Sequence, residues 1–387
     1  VRQVLLIAGW IALVLTLTAL SWYHLGWAGF VGAVIAAVTA SVVFLVLLFR
    51  QTSGARRGAH AVGGAPHPVK EEDISIPDVP ARAIAPPPPA AVDLGPAGPA
   101  LVADHFPWPL GTPGTASMEP WRISGSPGPA GICADSALVG DLHVRAASIV
   151  GPSHRCQEPA MPRQDAYRLG VDQARRHLIV AVADGMSDSS HSDLGANVAA
   201  DTIATRLRSV LAERRSITLE DLGACFGSAA KRMTTTAEQR GLQPDDVRAA
   251  ALGATIELVP NSGGGREVLL ATIADVSGWL RQECSWRQVA GDTKQGMDAG
   301  HLSAFLPHFP SQVILRRIEL APGDVLALTT DGIGDVLLGP GRLAEWFTEQ
   351  WERPPSIGGF IDTVGFEAKG RLDDRTAVVI WSPGRCP

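Results

Sequence analysis

Two uncharged apolar runs open the chain, and no later segment repeats their pattern. Residues 4–22 and 27–49 contain no Asp, Glu, Lys or Arg. At a rise of about 1.5 Å per residue, each is long enough to cross a hydrocarbon core of about 30 Å as a helix. Four residues separate them, so the expectation for residues 1–50 is a hairpin of two transmembrane helices. A cleaved signal peptide fits the first run poorly, because the run is too long and a second follows at once. Arg2 precedes the pair, Arg50, Arg56 and Arg57 follow it, and the intervening loop has no Lys or Arg. The excess of positive charge then places both ends at the cytoplasmic face of the cell membrane.

Residues 51–131 are rich in Pro, Gly and Ala, include the run Pro86, Pro87, Pro88 and Pro89, and show no apolar periodicity. Such a segment buries too little surface to offset its ordering entropy. It is expected to be a disordered linker with polyproline II character, whose proline run suits a proline-recognising partner. Residues 132–387 are the third part, and regular patterning begins near Asp141. Residues 142–151 and 178–185 predict strands. Residues 192–215 predict an amphipathic helix with Leu194, Val198, Ile203 and Leu207 near one face. A second helix is expected over 219–241. Strand-like runs follow at 250–259, 267–276, 278–284, 313–320 and 325–332, then a helix at 342–351 and a closing strand at 376–381. Strand clusters interrupted by helical pairs predict an α+β layered domain rather than an alternating βαβ one.

Charge and cysteine content narrow the function. A net charge of −6 and a pI near 5.9 leave no basic footprint for nucleic acid. Cys133, Cys156, Cys225, Cys284 and Cys386 are scattered and form no CxxC pair. They are expected to be unpaired thiols in a reducing compartment, without a zinc site. A transport pathway is also excluded, since neither apolar run carries a charged residue to mark one.

The chemistry sits at strand ends. An apolar strand runs into Asp184-Gly185, and another of the same form runs into Asp331-Gly332. Asp373 and Asp374 stand just before the apolar run 377–381, and Gln164-Asp165 precedes a strand-like turn. Taken singly, Asp-Gly after a strand is a turn signal. Repetition changes the reading, because converging strand ends would crowd several carboxylates into one cleft and raise their pKa values. A hard divalent cation removes that penalty, and oxygen-only ligands favour Mg²⁺ or Mn²⁺. Glycine after the aspartate also lets a backbone carbonyl approach a metal. Asp188 and Asp193 read instead as surface or helix-capping residues.

In order and wording these segments resemble the protein phosphatase 2C family, most closely its bacterial branch. The resemblance covers roughly 141–383: residues 148–170, 180–200, 252–259, 271–280, 320–337 and 373–381 follow the family's signatures in order. It implies a four-layer α-β-β-α sandwich, here expected behind two transmembrane helices. It further implies metal-assisted hydrolysis of phosphoserine or phosphothreonine in protein substrates. Two cations, Mn²⁺ or Mg²⁺, are implied, with a third at a weaker site. Carried over, Asp184 bridges the two metals and Gly185 lends its carbonyl oxygen. Asp331 and Asp373 complete one metal's shell, Asp165 reaches the other, and Asp275 serves the third. Three departures stand out. Gln164 holds a place often taken by glutamate, and Ala274-Asp275-Val276 replaces the usual Gly-Asp-Ser. The family's phosphate-gripping arginine has no clean counterpart, so Arg155 and Arg163 are both candidates, with Arg155 preferred. His154 is either a general acid toward the leaving alkoxide or a turn residue. The alternative to an enzyme is a degenerate phosphatase fold that binds phosphoproteins at the membrane.

Overall fold

The computed structural model describes residues 122–125, 127–214, 216–282, 285–292, 304–339 and 342–384. Both predicted membrane spans and nearly all of the predicted linker lie outside these residues. Among the described residues no helix is long and apolar enough to cross a membrane.

Two antiparallel sheets build the domain. The first runs β1 (Ile132–Val139), β2 (Leu142–Ile149), β11 (Arg375–Trp381), β10 (Val325–Thr329), β7 (Ser277–Gln282), β8 (Ser285–Ala290) in spatial order. The second runs β3 (Ala166–Val171), β4 (His177–Gly185), β5 (Ala249–Glu257), β6 (Arg266–Ile273), β9 (Ile314–Leu320). Side chains alternate between the two faces of a strand, and β4 shows what that alternation does here. Leu178, Val180 and Val182 enter the core between the sheets, while Ile179, Ala181 and Ala183 face a helical layer. In β11, Val378 and Ile380 point to the same inter-sheet core, and Ala377, Val379 and Trp381 point away from it. Strands covered on both faces read as continuous apolar runs, which is why 178–183 and 377–381 lack polar interruption.

Helices cover the outer face of each sheet. The second sheet carries α2 (Ser192–Arg214) and α3 (Leu219–Gln239), and the short α1 (Pro152–Arg155) follows β2. A capping box starts α3: Asp221 N donates to Thr218 Oγ1 at 3.1 Å and Thr218 N to Asp221 Oδ2 at 3.1 Å, a device worth about 1 kcal/mol. The face of α2 differs from expectation. Ala196, Ala199 and Ala200 take the centre of the contact with Ile203 and Leu207, whereas Leu194 and Val198 are only partly buried at its edge. Small side chains let the helix lie close to the sheet. On the first sheet, α4 (Asp331–Leu338), α5 (Arg342–Gln350) and α6 (Ile357–Val364) enclose Phe347, Trp351, Phe360 and Phe366.

The elements β1, β8, α4 and α6 were not expected, and β3 was expected only as a turn. The end of the predicted linker is also tied down. Val150 N donates to Gly131 O at 2.7 Å, Arg163 Nε to Ala130 O at 2.9 Å, and Arg122 N to Arg155 O at 3.1 Å. Among the described residues Cys133, Cys156 and Cys225 take part in no disulfide.

Candidate active site

The acidic strand ends meet at one cavity. Asp184 and Gly185 finish β4, Asp275 lies in the turn from β6 to β7, Asp331 opens α4, and Asp373 precedes β11; all five line it. The segments are stitched together by backbone. Thr330 N donates to Thr376 O at 3.1 Å, which sets the start of α4 beside β11. Gly332 follows Asp331 because a Cβ there would stand 2.0 Å from Asp374 O. A Cβ on Gly185 would stand 2.6 Å from Ser192 O, so the start of α2 also needs that glycine.

Crowding of charge is visible in Asp184. Its carboxyl is raised well above the usual carboxylate range, first by burial and then by the charges of Asp165, Asp331, Asp275 and Asp373. Asp373 has its outer side open to solvent, yet is raised by the low-dielectric surroundings of its inner side and then by Asp374. Asp165 lies one layer beneath the cavity and is 1% exposed. Burial and then Asp374 raise it strongly, against the hydrogen bond that Thr330 Oγ1 donates to its Oδ2 at 2.8 Å. Gln164 is buried, and its Oε1 has no hydrogen-bond partner among the described residues. All these acceptors are oxygens, and carboxylates this close favour a divalent cation over mutual ionisation.

The departure at the β6–β7 turn has a local signature. Ala274 adopts φ 65°, in the left-handed region that glycine enters freely and that costs a residue with a Cβ about 1–2 kcal/mol. Asp275 nevertheless lines the cavity.

His154 and Arg155 do not join it. Both lie on α1 and are buried, at 4% and 2% exposure. Arg155 pairs with the buried carboxylate of Glu367, and burial pushes its guanidinium pKa down to about 10. Arg155 was expected to face a phosphate; its charge lies instead against the Glu367 carboxylate, and it is not among the residues that line the cavity. Arg163 is committed as well, donating to Ser148 Oγ at 2.5 Å and to the carbonyls of Ala130 and Asp165. His154 Nδ1 lies 2.8 Å from Asp374 Oδ1. Burial alone would lower its pKa, but that hydrogen bond and the charges of Asp374, Asp373 and Asp165 outweigh it and raise the value above 6.5. The ring is a partner of Asp374 and is not among the residues that line the cavity.

Two residues here went unassigned in the sequence. Asp374 is 2% exposed and accepts from Gly151 N at 2.6 Å and Gln164 N at 2.5 Å besides His154, so one carboxylate joins three segments. Its only signal was adjacency to Asp373. Arg248 lines the cavity from the start of β5 and had no motif to mark it. Asp188, expected at the surface, is exposed on the cavity's rim and pairs with Arg248 at 2.8 Å. Asp193 falls in the first turn of α2, as its capping reading requires.

Comparison with known proteins follows the same lines. No curated protein matches the chain. Among solved structures, a bacterial serine phosphatase is 12% identical, covering 63% of this chain and 99% of its own, with a TM-score of 0.46. The Mycobacterium tuberculosis serine/threonine phosphatase PstP/Ppp is 18% identical, covering 62% and 99%, with a TM-score of 0.45. The catalytic domain of PstP in complex with two manganese ions is 20% identical, covering 62% and 97%, at 0.43. Likenesses at this level carry no weight alone. The profile of the family described as protein phosphatase 2C, however, matches residues 150–356, more than half of the chain. That span holds Asp165, Asp184, Asp275 and Asp331, and the fold brings Asp373 to the same cavity from outside it. The chain with these converging carboxylates belongs to the protein phosphatase 2C family.

Proposed function

We propose that the chain hydrolyses phosphoserine and phosphothreonine in protein substrates with Mn²⁺ or Mg²⁺, from a position tethered to the cytoplasmic face of the membrane. The observation that supports the hydrolytic part best is the electrostatics of Asp184, whose carboxyl is raised by burial and by four neighbouring carboxylates. An uncompensated cluster of this kind costs stability, and an all-oxygen donor set suits a hard cation. When bound, divalent cations lower the pKa of an attacking water and offset the charge of the phosphoryl group.

In this reading Asp184 is the central ligand and Gly185 contributes its carbonyl. Asp331 and Asp373 would hold one ion, Asp165 would support the other, and Asp275 would belong to a third site. Thr330 fixes Asp165 by the hydrogen bond to its Oδ2. No Ser or Cys nucleophile would be required, since the bound cations would supply an activated water. Asp275 keeps its place in the cavity despite the altered turn, which favours an enzyme over a binding module. The tether rests on the sequence: residues 1–50 as a transmembrane hairpin and 51–131 as a linker that gives the domain reach.

The test is phosphate release from a phosphoserine or phosphothreonine peptide by the full chain in detergent micelles. Turnover should require Mn²⁺ or Mg²⁺ and vanish in Asp184→Asn, with Mn²⁺ binding weakened in calorimetry. Activity that survives excess EDTA would overturn the mechanism.

A further inference from the structure

We infer that Arg248 is the residue that holds the substrate's phosphate, the task first looked for at Arg155 and Arg163; the inference rests on the phosphatase reading above. Arg248 follows the short 3₁₀ turn Pro244–Val247 and precedes β5. It is the one cation among the described residues lining the acidic cavity, on whose walls Asp184, Asp275, Asp331 and Asp373 also stand.

Its guanidinium is fixed on several sides. Nε donates to Ser189 Oγ at 2.9 Å and to Asp245 O at 3.2 Å. Nη2 pairs with Asp188 Oδ2 at 2.8 Å and donates to Asp188 O at 3.3 Å. The ring of Phe305 lies 5.4 Å from the guanidinium carbon. It is brought there because Ala249 and Leu306 exchange two backbone hydrogen bonds of 3.0 Å. Nη1 donates to no described residue. The fork is thus already positioned, with one nitrogen uncommitted among the described residues, on a residue that lines the cavity where a phosphoryl group would have to lie.

Chemistry makes this arrangement informative. Cations offset the cavity's carboxylates but give a phosphate no hydrogen-bond donor. A planar guanidinium donates to two phosphate oxygens at once, and holding it in advance reduces the entropy lost on binding. Asp188 is 67% exposed, so its pairing with Nη2 is a weak surface pair. A phosphate dianion in the cavity can displace it and free Nη2 to join Nη1 in a two-pronged grip. Arg155 and Arg163 have no comparable freedom, being committed to Glu367 and to the Ser148, Ala130 and Asp165 oxygens.

The experiment is calorimetry of inorganic phosphate binding to the full chain in detergent micelles with Mn²⁺ present, comparing wild type, Arg248→Lys and Arg248→Gln. Arg248→Gln should weaken phosphate by roughly ten- to a hundred-fold, and Arg248→Lys by less, with Mn²⁺ affinity and melting temperature retained. KM for a phosphopeptide should rise by the same factors. Should Arg248→Gln prove poorly folded, Arg248→Lys decides, because it keeps the charge beside Asp188. Asp188→Asn supplies a second arm: it should tighten phosphate in the wild-type background and lose most of that effect beside Arg248→Gln. Phosphate affinity within about twofold of wild type in Arg248→Gln would overturn the inference, as would an equal loss of Mn²⁺ binding. A wild type that binds Mn²⁺ and phosphate yet turns over no phosphopeptide would overturn the phosphatase reading alone, and the phosphate titrations would still decide the role of Arg248.

Discussion

Asp374→Ala removes the carboxylate that joins three segments under the site. In the wild type it accepts from Gly151 N, Gln164 N and His154 Nδ1 at 2.6, 2.5 and 2.8 Å, in a position 2% exposed. Each buried donor left without a partner costs about 1–3 kcal/mol. The three losses overlap because they share one carboxylate, and a water entering the vacated space recovers part of them. The expected loss is therefore about 3–5 kcal/mol, a large share of the roughly 5–15 kcal/mol that stabilises a typical domain. Asp374→Asn keeps Oδ1 for Gly151 and His154 and turns an amide toward Gln164 N, so its cost should be about 1–2 kcal/mol. Urea unfolding of the full chain, followed by tryptophan fluorescence with EDTA present, measures both without a contribution from bound metal. The imidazole of His154 should also titrate lower in Asp374→Ala by NMR, since burial then meets less opposition. A loss below about 1 kcal/mol for Asp374→Ala, or an equal loss for the two variants, would refute the idea that this carboxylate ties the segments together.

Three further outcomes are expected. In EDTA, the raised Asp165 and Asp184 carboxyls keep protons in the folded state that the unfolded chain has released, so stability falls as pH rises from about 4 through their folded values. Melting curves should show Asp184→Asn more stable than wild type at pH 8 and level with it near pH 4; a constant difference across that range would contradict the sign. Arg155→Ala should cost about 3–5 kcal/mol by stranding the buried Glu367 carboxylate. At a temperature where the variant stays folded its KM for a phosphopeptide should match wild type, and a rise would return the phosphate to Arg155. Reporters fused after Arg57 and at Pro387 should both register in the cytoplasm, and an external signal at Pro387 would reject the proposed orientation.

Strand ends carrying Asp184, Asp331 and Asp373 were legible because an apolar run bordered by a carboxylate is a local pattern. Their convergence is a property of strand order, and only repetition hinted at it. Elements that were missed share a cause. The strand β1 is an edge strand with exposed Leu138, so its alternation is blurred, and α4 begins inside a motif that reads as a turn. Alanines stood in for large apolar side chains on α2, which shifted the expected buried face. The arginines show the limit most plainly. Sequence proximity to Asp165 favoured Arg155 and Arg163, yet whether a guanidinium is free depends on distant groups such as Glu367, which no local pattern reports. Phe305 reaches Arg248 through the backbone pairing of Ala249 with Leu306, itself invisible along the chain.

The order of strands in the first sheet bears on how the domain is made. The strand β11, closest to the C-terminus, lies inside that sheet between β2 and β10, whereas every strand of the second sheet has been translated by Leu320. A ribosome releasing this chain therefore exposes one sheet that can already pair and another whose interior strand is still missing. Until β11 emerges, the apolar edges of β2 and β10 have no partner, and unpaired edges of this kind invite association with other chains. Long-range pairing is also slow to form. Asp373 arrives just ahead of β11, so the last carboxylate of the cavity comes with the strand that completes the first sheet. A ribosome stalled before residue 373 would leave a product lacking both the sheet's interior strand and part of its acidic site.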